Sequence, residues 1–223
     1  MTTRATEEQN RLSRRNFLSY AGVGAVATLA ACSKDDNNNM MNSGIDLGSG
    51  DIGILNYAYA LEQLEAAFYK QVTDTPYSGI SSAETALLTD IRDHEIAHRE
   101  FFKNALGSKA IPALEVNFSA VTFSDRSSVL NTAKAFEDLG VSAYNGAGKL
   151  ITSPDYLLLA GKIVSVEARH AAYIRDLISN GSFADNTVID SNGLEMSKSP
   201  MEVLMAASSF LKTKINASNL PTS

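Results

Sequence analysis

Tryptophan is absent from this 223-residue chain, and cysteine occurs once, at Cys32. A single thiol excludes an internal disulfide, and no Cys-x-x-Cys pair can exist. Histidine is scarce as well, limited to His94, His98 and His170. Beyond residue 31 there is no long apolar run, so that part of the chain contains no membrane-spanning helix. No basic patch stands out there either, and nucleic acid is not an expected partner. What is present is 44% hydrophobic and 20% charged residues, the ordinary mixture of a soluble globular protein. The length suits one domain with room for a leader and a tail.

The first 31 residues read as a leader rather than as part of the fold. Arg4, Arg11, Arg14 and Arg15 precede or flank the start of an apolar run from Phe17 to Ala31, built of Ala, Gly, Val and Leu. The run ends in Leu29-Ala30-Ala31-Cys32, small residues before a cysteine of the kind a lipoprotein signal peptidase accepts. Ser13-Arg14-Arg15-Asn16-Phe17-Leu18 resembles the twin-arginine export signal. In that order they predict a twin-arginine lipoprotein signal peptide over 1–31 and a lipid on Cys32. The chain would then be exported and held by its lipid to a membrane of the cell envelope, in the periplasm or at the outer-membrane surface. Ser33-Lys34-Asp35-Asp36 resembles a short Lys-acid-acid signal that sends some bacterial lipoproteins to the cell surface. Residues 32–50, with Asn37-Asn38-Asn39 and several Gly and Ser, read as a flexible tether. Cleavage removes four arginines and two glutamates and takes the formal net charge from −6 to −8. Attachment would therefore rest on the lipid and not on basic residues.

Four long helical patterns occupy residues 51–180. The first runs from Asp51, as N-cap, to about Thr73, with Leu55, Leu61, Leu64 and Phe68 at helical spacing. The second opens on a Ser81/Glu84 capping box and stops at Gly107. The third runs from Ser124-Asp125 to about Gly148. The fourth has Ser153 as N-cap and Pro154 at its first position, and ends at Asn180-Gly181. A loop over 182–199 and a short fifth helix from Pro200 to about Ile215 complete the chain. Short loops make antiparallel hairpins of helices one and two and of helices three and four. About 16 residues separate the hairpins and can reach about 50 Å when extended. A helix of about 25 residues is nearly 40 Å long, so the linker can return along the bundle. The expected fold is an all-α four-helix bundle with one long crossover between helices two and three.

Two of the three histidines end the same motif. Glu95-Ile96-Ala97-His98 lies in helix two and Glu167-Ala168-Arg169-His170 in helix four. Residues three apart share a helix face, so each Glu and His can reach one point. His94 points elsewhere and reads as a surface residue or as a neighbour of the site. Helix three supplies Glu137 as an inward carboxylate, and helix one offers Glu62 or Glu65. Aligning Glu62–Tyr69 with Glu137–Tyr144 matches glutamate with glutamate, Leu64 with Leu139 and Tyr69 with Tyr144, while Glu65 falls opposite Gly140. The chain thus reads as two copies of one helical hairpin. Glu62 is the preferred ligand from helix one, with Glu65 as second choice. Tyr69 and Tyr144 share the glutamate face, as core residues or as partners of a ligand and candidates for one-electron chemistry.

The set Glu62, Glu95, His98, Glu137, Glu167 and His170 resembles the ligand set of the ferritin-like superfamily, in particular bacterioferritins, rubrerythrins and manganese catalases. The leader and the stretch Leu61–Tyr69 look more like the exported bacterial ferritin-like proteins often labelled desiccation-related. By this resemblance Glu95 and Glu167 would bridge two iron or two manganese ions. Glu62 and His98 would complete one metal's shell, and Glu137 and His170 the other's. The resemblance implies a reaction with O₂ or peroxide, of ferroxidase, peroxidase or catalase type. The other function it leaves open is a non-catalytic envelope or stress-protection scaffold that has lost the metal or keeps it for structure. A lipid at Cys32 and a long tether leave room for a homodimer and do not suit a closed storage shell.

Overall fold

The computed structural model describes residues 44–222. The leader over 1–31, Cys32 with its expected lipid, and the tether as far as residue 43 lie outside the described residues. In chain order the elements are strand β1 (Ile45–Asp46), helices α1 (Gly50–Asp74), α2 (Ser82–Leu106), α3 (Arg126–Gly148), α4 (Pro154–Ile178) and α5 (Pro200–Ala207), and strand β2 (Ile215–Asn216).

Helix boundaries follow local capping chemistry. The Ser81 hydroxyl accepts from Glu84 N–H, and the Glu84 carboxylate accepts in return from Ser81 N–H. Gly107, at φ 55°, ends α2 in a backbone conformation that a side chain would strain. Asp125 accepts from the backbone of Ser127 and Ser128 at the start of α3. Ser153 accepts from Tyr156 N–H at the start of α4, with Pro154 behind it. The expected cap on α1 is corrected. Ser49 occupies that position without a side-chain bond. The Asp51 carboxylate instead accepts from Thr152 N–H (2.8 Å), Thr152 Oγ1 (2.9 Å) and Ser153 N–H (2.9 Å), tying the start of α1 to the start of α4.

The crossover is held by amides buried on α1. Asn56 donates to Leu47 O and Lys109 O, both at 3.0 Å, and accepts from Ile111 N–H at 2.9 Å. One turn-pair further along, Gln63 accepts from Leu114 N–H at 2.8 Å. Further still, Phe68 meets the rings of Phe118 and Phe123 at 5.8 and 5.9 Å. The linker therefore runs alongside α1 in the same direction and delivers α3 to the end where α2 began. There Arg126 of α3 pairs with Glu84 of α2. With α2, α3 and the crossover around it, α1 is buried at every residue from Gly53 to Ala66. A helix covered on all sides needs its polar residues satisfied internally, and Asn56 and Gln63 meet that need through linker backbone.

Two further expectations are corrected at the C-terminal side. The fifth helix stops at Ala207, and a 3₁₀ turn over Ser208–Phe210 leads into extended chain. That chain pairs with the crossover, through Asn117 N–H to Phe210 O (2.7 Å) and Lys212 N–H to Glu115 O (2.8 Å). It then forms β2, which lies parallel to β1 in the register Ile45↔Ile215 and Asp46↔Asn216. Residues 45–50 consequently belong to the domain and not to the tether, and Leu47 is fully buried. After α4, the buried Arg175 binds Asp138 of α3 (2.6 Å) together with Asp185, Thr187 and Ser182 O, fixing the loop that follows. No helix among the described residues is long and apolar enough to cross a membrane.

Candidate metal centre

Each of the four long helices sends a carboxylate into the middle of the bundle. Glu62 on α1, Glu95 on α2, Glu137 on α3 and Glu167 on α4 are all at 0% exposure, and His170 is at 5%. One donor atom from each of Glu62, Glu95, His98 and Glu167 lies within 4.8 Å of the others. The same holds for Glu95, Glu137, Glu167 and His170. The two groups share Glu95 and Glu167, the residues that the family resemblance implies as bridging.

The contacts repeat across the two halves. Glu167 places Oε1 2.8 Å from Nδ1 of His98 and Oε2 3.4 Å from Nδ1 of His170. Glu95 does the converse, with Oε1 2.9 Å from His170 and Oε2 3.9 Å from His98. Glu62 Oε2 is 3.5 Å from His98, and Glu137 Oε2 is 3.4 Å from His170. The outer oxygens of the last two carboxylates are held by tyrosines from the opposite hairpin. Tyr69 of α1 donates to Glu137 Oε1 at 2.5 Å, and Tyr144 of α3 donates to Glu62 Oε1. Both tyrosines are core residues, and each hydroxyl bonds a candidate ligand.

Close approach is not the same as hydrogen bonding here. Within this cluster eight buried atoms have no hydrogen-bond partner: Oε2 of Glu62 and Glu137, both oxygens of Glu95 and Glu167, and Nδ1 of His98 and His170. His98 with Glu167 and His170 with Glu95 lie within 3 Å as charge pairs, 2.8 and 2.9 Å apart. Buried polar atoms are nearly always satisfied, and a set left over in one place requires a reason. Carboxylate oxygens and imidazole nitrogens from four helices gathered within 4.8 Å of one another in two groups are the arrangement of metal ligands. Carboxylate oxygen with two imidazoles suits iron or manganese.

The electrostatics match. Burial alone would lower the two imidazoles, but the glutamates around them hold His98 and His170 up at about 12. Burial alone would raise Glu167, but His170 and His98 flank it and hold it down to about 2. The other carboxyls are pushed up, chiefly by burial. Glu137 stands at about 7, Glu62 is raised, and Glu95 lies well above the ordinary range, with the Glu167 charge adding to the shift. Two imidazolium charges thus stand among four carboxyl groups, a balance in which divalent cations can replace protons.

Glu65, the second choice on α1, is buried but belongs to neither four-residue group. Its Oε1 lies 3.1 Å from where a Cβ on Gly140 would be. The glycine that the internal alignment pairs with Glu65 therefore leaves space for it. Gly146 on the same helix admits the backbone of the 197–199 loop, where an added Cβ would lie 1.7 Å from Lys198 O. Gly148 has no such neighbour, only Leu157 Cδ1 at 3.7 Å. His94 is exposed, and its Nδ1 lies 2.9 Å from Nε2 of His170.

Two antiparallel hairpins, a long crossover, and glutamates and histidines converging from all four helices define a ferritin-like bundle with a buried cluster that can hold metal. The chain belongs to the ferritin-like domain family, whose model matches residues 50–180. The match is to the family as a whole and does not reach the desiccation-related subgroup. No curated protein matches the chain.

Proposed function

We propose that this chain is an exported, lipid-anchored protein whose bundle holds two iron or two manganese ions and reacts with O₂ or peroxide. The eight unbonded buried donors carry the reading. Glu95 and Glu167 each present one oxygen to either half, so they would hold both ions. Glu62 with His98 and Glu137 with His170 would complete the two shells. Bound there, the metals would carry the electrons exchanged with O₂ or peroxide, drawn from ferrous iron, an external donor or a second peroxide in ferroxidase, peroxidase or catalase chemistry respectively. The protein's part is to fix the donors, exclude water and give up protons. Tyr69 and Tyr144 orient Glu137 and Glu62 through their outer oxygens, leaving one oxygen of each for the cation. Burial and the neighbouring glutamates keep both phenols well above their ordinary range, so they stay donors.

The leader supports export by the twin-arginine route, which carries folded proteins and would allow loading before export, and a lipid at Cys32 supports attachment to the envelope. Metal analysis of untagged protein after anaerobic loading tests the centre. About two Fe or Mn per chain is expected, and well under one overturns the reading. Replacing Glu95 and Glu167 together by alanine should abolish uptake. If both variant and wild type melt at one temperature with and without metal, the bundle is a scaffold instead.

A further inference from the structure

The two halves of the centre agree in their carboxylates, their tyrosines and their Nδ1 atoms, and they differ on the outer side of the imidazoles. Nε2 of His170 lies 2.9 Å from Nδ1 of His94. The two ring planes are within 9° of parallel. Each Glu-x-x-His helix has one residue before its glutamate at the equivalent place, His94 on α2 and Val166 on α4. Valine carries no polar atom, and among the described residues no group bonds Nε2 of His98.

We propose that His94 is a positioning residue for His170, and that it makes the cation position completed by Glu137 and His170 the tighter of the two. This rests on the metal-centre reading above. An imidazole offers Nδ1 to a cation only when its proton sits on Nε2. His94, accepting through its own Nδ1, holds that proton on Nε2 of His170 and holds the ring in one plane. A partner of this kind on a ligating histidine is worth roughly 10–100-fold in metal affinity. His98 has no such partner on its Nε2 among the described residues, so its half binds more weakly. The duplication thus gives two positions with equal ligands and unequal support. His94 is exposed while His170 is buried, so its replacement leaves the packed interior intact.

The test is titration of metal-free protein with Co²⁺, followed by calorimetry and visible absorption. Wild type should show two separable binding steps. His94→Val, which copies the other half, should weaken the tighter step about 10-fold or more and leave the weaker step unchanged. His94→Asn, whose Oδ1 can accept where the imidazole Nδ1 did, should restore most of the loss. Melting temperature in chelator should be the same for all three, which separates positioning from a structural role. Two indistinguishable steps in wild type, equal weakening of both in His94→Val, no change in that variant, or no rescue by asparagine overturns the inference and leaves the centre standing. A wild type that takes up no Co²⁺ overturns both.

Discussion

At the residue scale, the site is a set of exchanges between protons and positive charge. Glu137 stands at about 7 in the fold against 4.5 for an ordinary glutamate. A carboxyl raised on folding supports the folded state fully below about pH 4.5, and that support is lost as pH climbs through 7. His98 and His170, raised to about 12 from 6.5, support the fold fully below pH 6.5 and lose that support between 6.5 and 12. Glu167, held at about 2, acts oppositely and loses its support only as pH falls from 4.5 toward 2. The metal-free protein should therefore weaken as pH rises above about 5, while metal stabilisation grows. Thermal unfolding with chelator and with metal, from about pH 5 to 8, checks this; a gap that narrows with pH would contradict it. Loading should also release protons, at least about two per chain from the imidazoles, as seen by indicator dye in weak buffer. Tyr144→Phe removes the donor to the buried Glu62 Oε1. A loss of about 1–3 kcal/mol in urea unfolding of the metal-free protein is expected. Six ligand candidates were legible in sequence because two Glu-x-x-His motifs and a matched pair of glutamates share one spacing. The crossing of the tyrosines was not legible, since helical spacing tells which face a residue occupies and not which partner helix it meets.

At the scale of elements, the helices themselves were readable, because capping boxes, Pro154 and Gly107 are local signals. Elements shaped by distant chain were misread. Asp51 looks like a cap for its own helix, yet its carboxylate serves Thr152 and Ser153. Residues 45–50 look like tether, yet β2 pairs with them from the far end of the sequence. The fifth helix looks longer than it is, because the crossover claims its last backbone groups. Glycines on the helices give the sharpest contrast. Gly146→Ala should cost about 1–3 kcal/mol, because the added Cβ would collide with the Lys198 backbone. Gly161, exposed on α4 with nothing within 4 Å of an added Cβ, should behave oppositely, and Gly161→Ala should gain about 0.5–1 kcal/mol. Chemical denaturation of the two variants side by side decides the point, and equal signs would refute the packing assigned to Gly146.

At the scale of the whole molecule, the leader and the bundle carry separate predictions. Metabolic labelling of cells with palmitate should mark the wild type and not Cys32→Ser; a wild type that takes up no label would rule out lipid attachment. The ferritin-like topology was readable because a linker of about 16 residues can run the length of a helix of about 25 residues between two hairpins. The bonds that hold the linker in place were not, since Asn56 and Gln63 look like any polar residues on an amphipathic helix. The reciprocal tyrosines reach beyond bonding. Tyr69 secures Glu137, and Tyr144 secures Glu62, so each hairpin carries the part its twin needs. A hairpin produced alone would hold half the donors with its glutamate untethered, and ion capture would have to wait until both have been synthesised and have met. Uptake of the ion would then serve the cell as a check that the entire bundle is assembled.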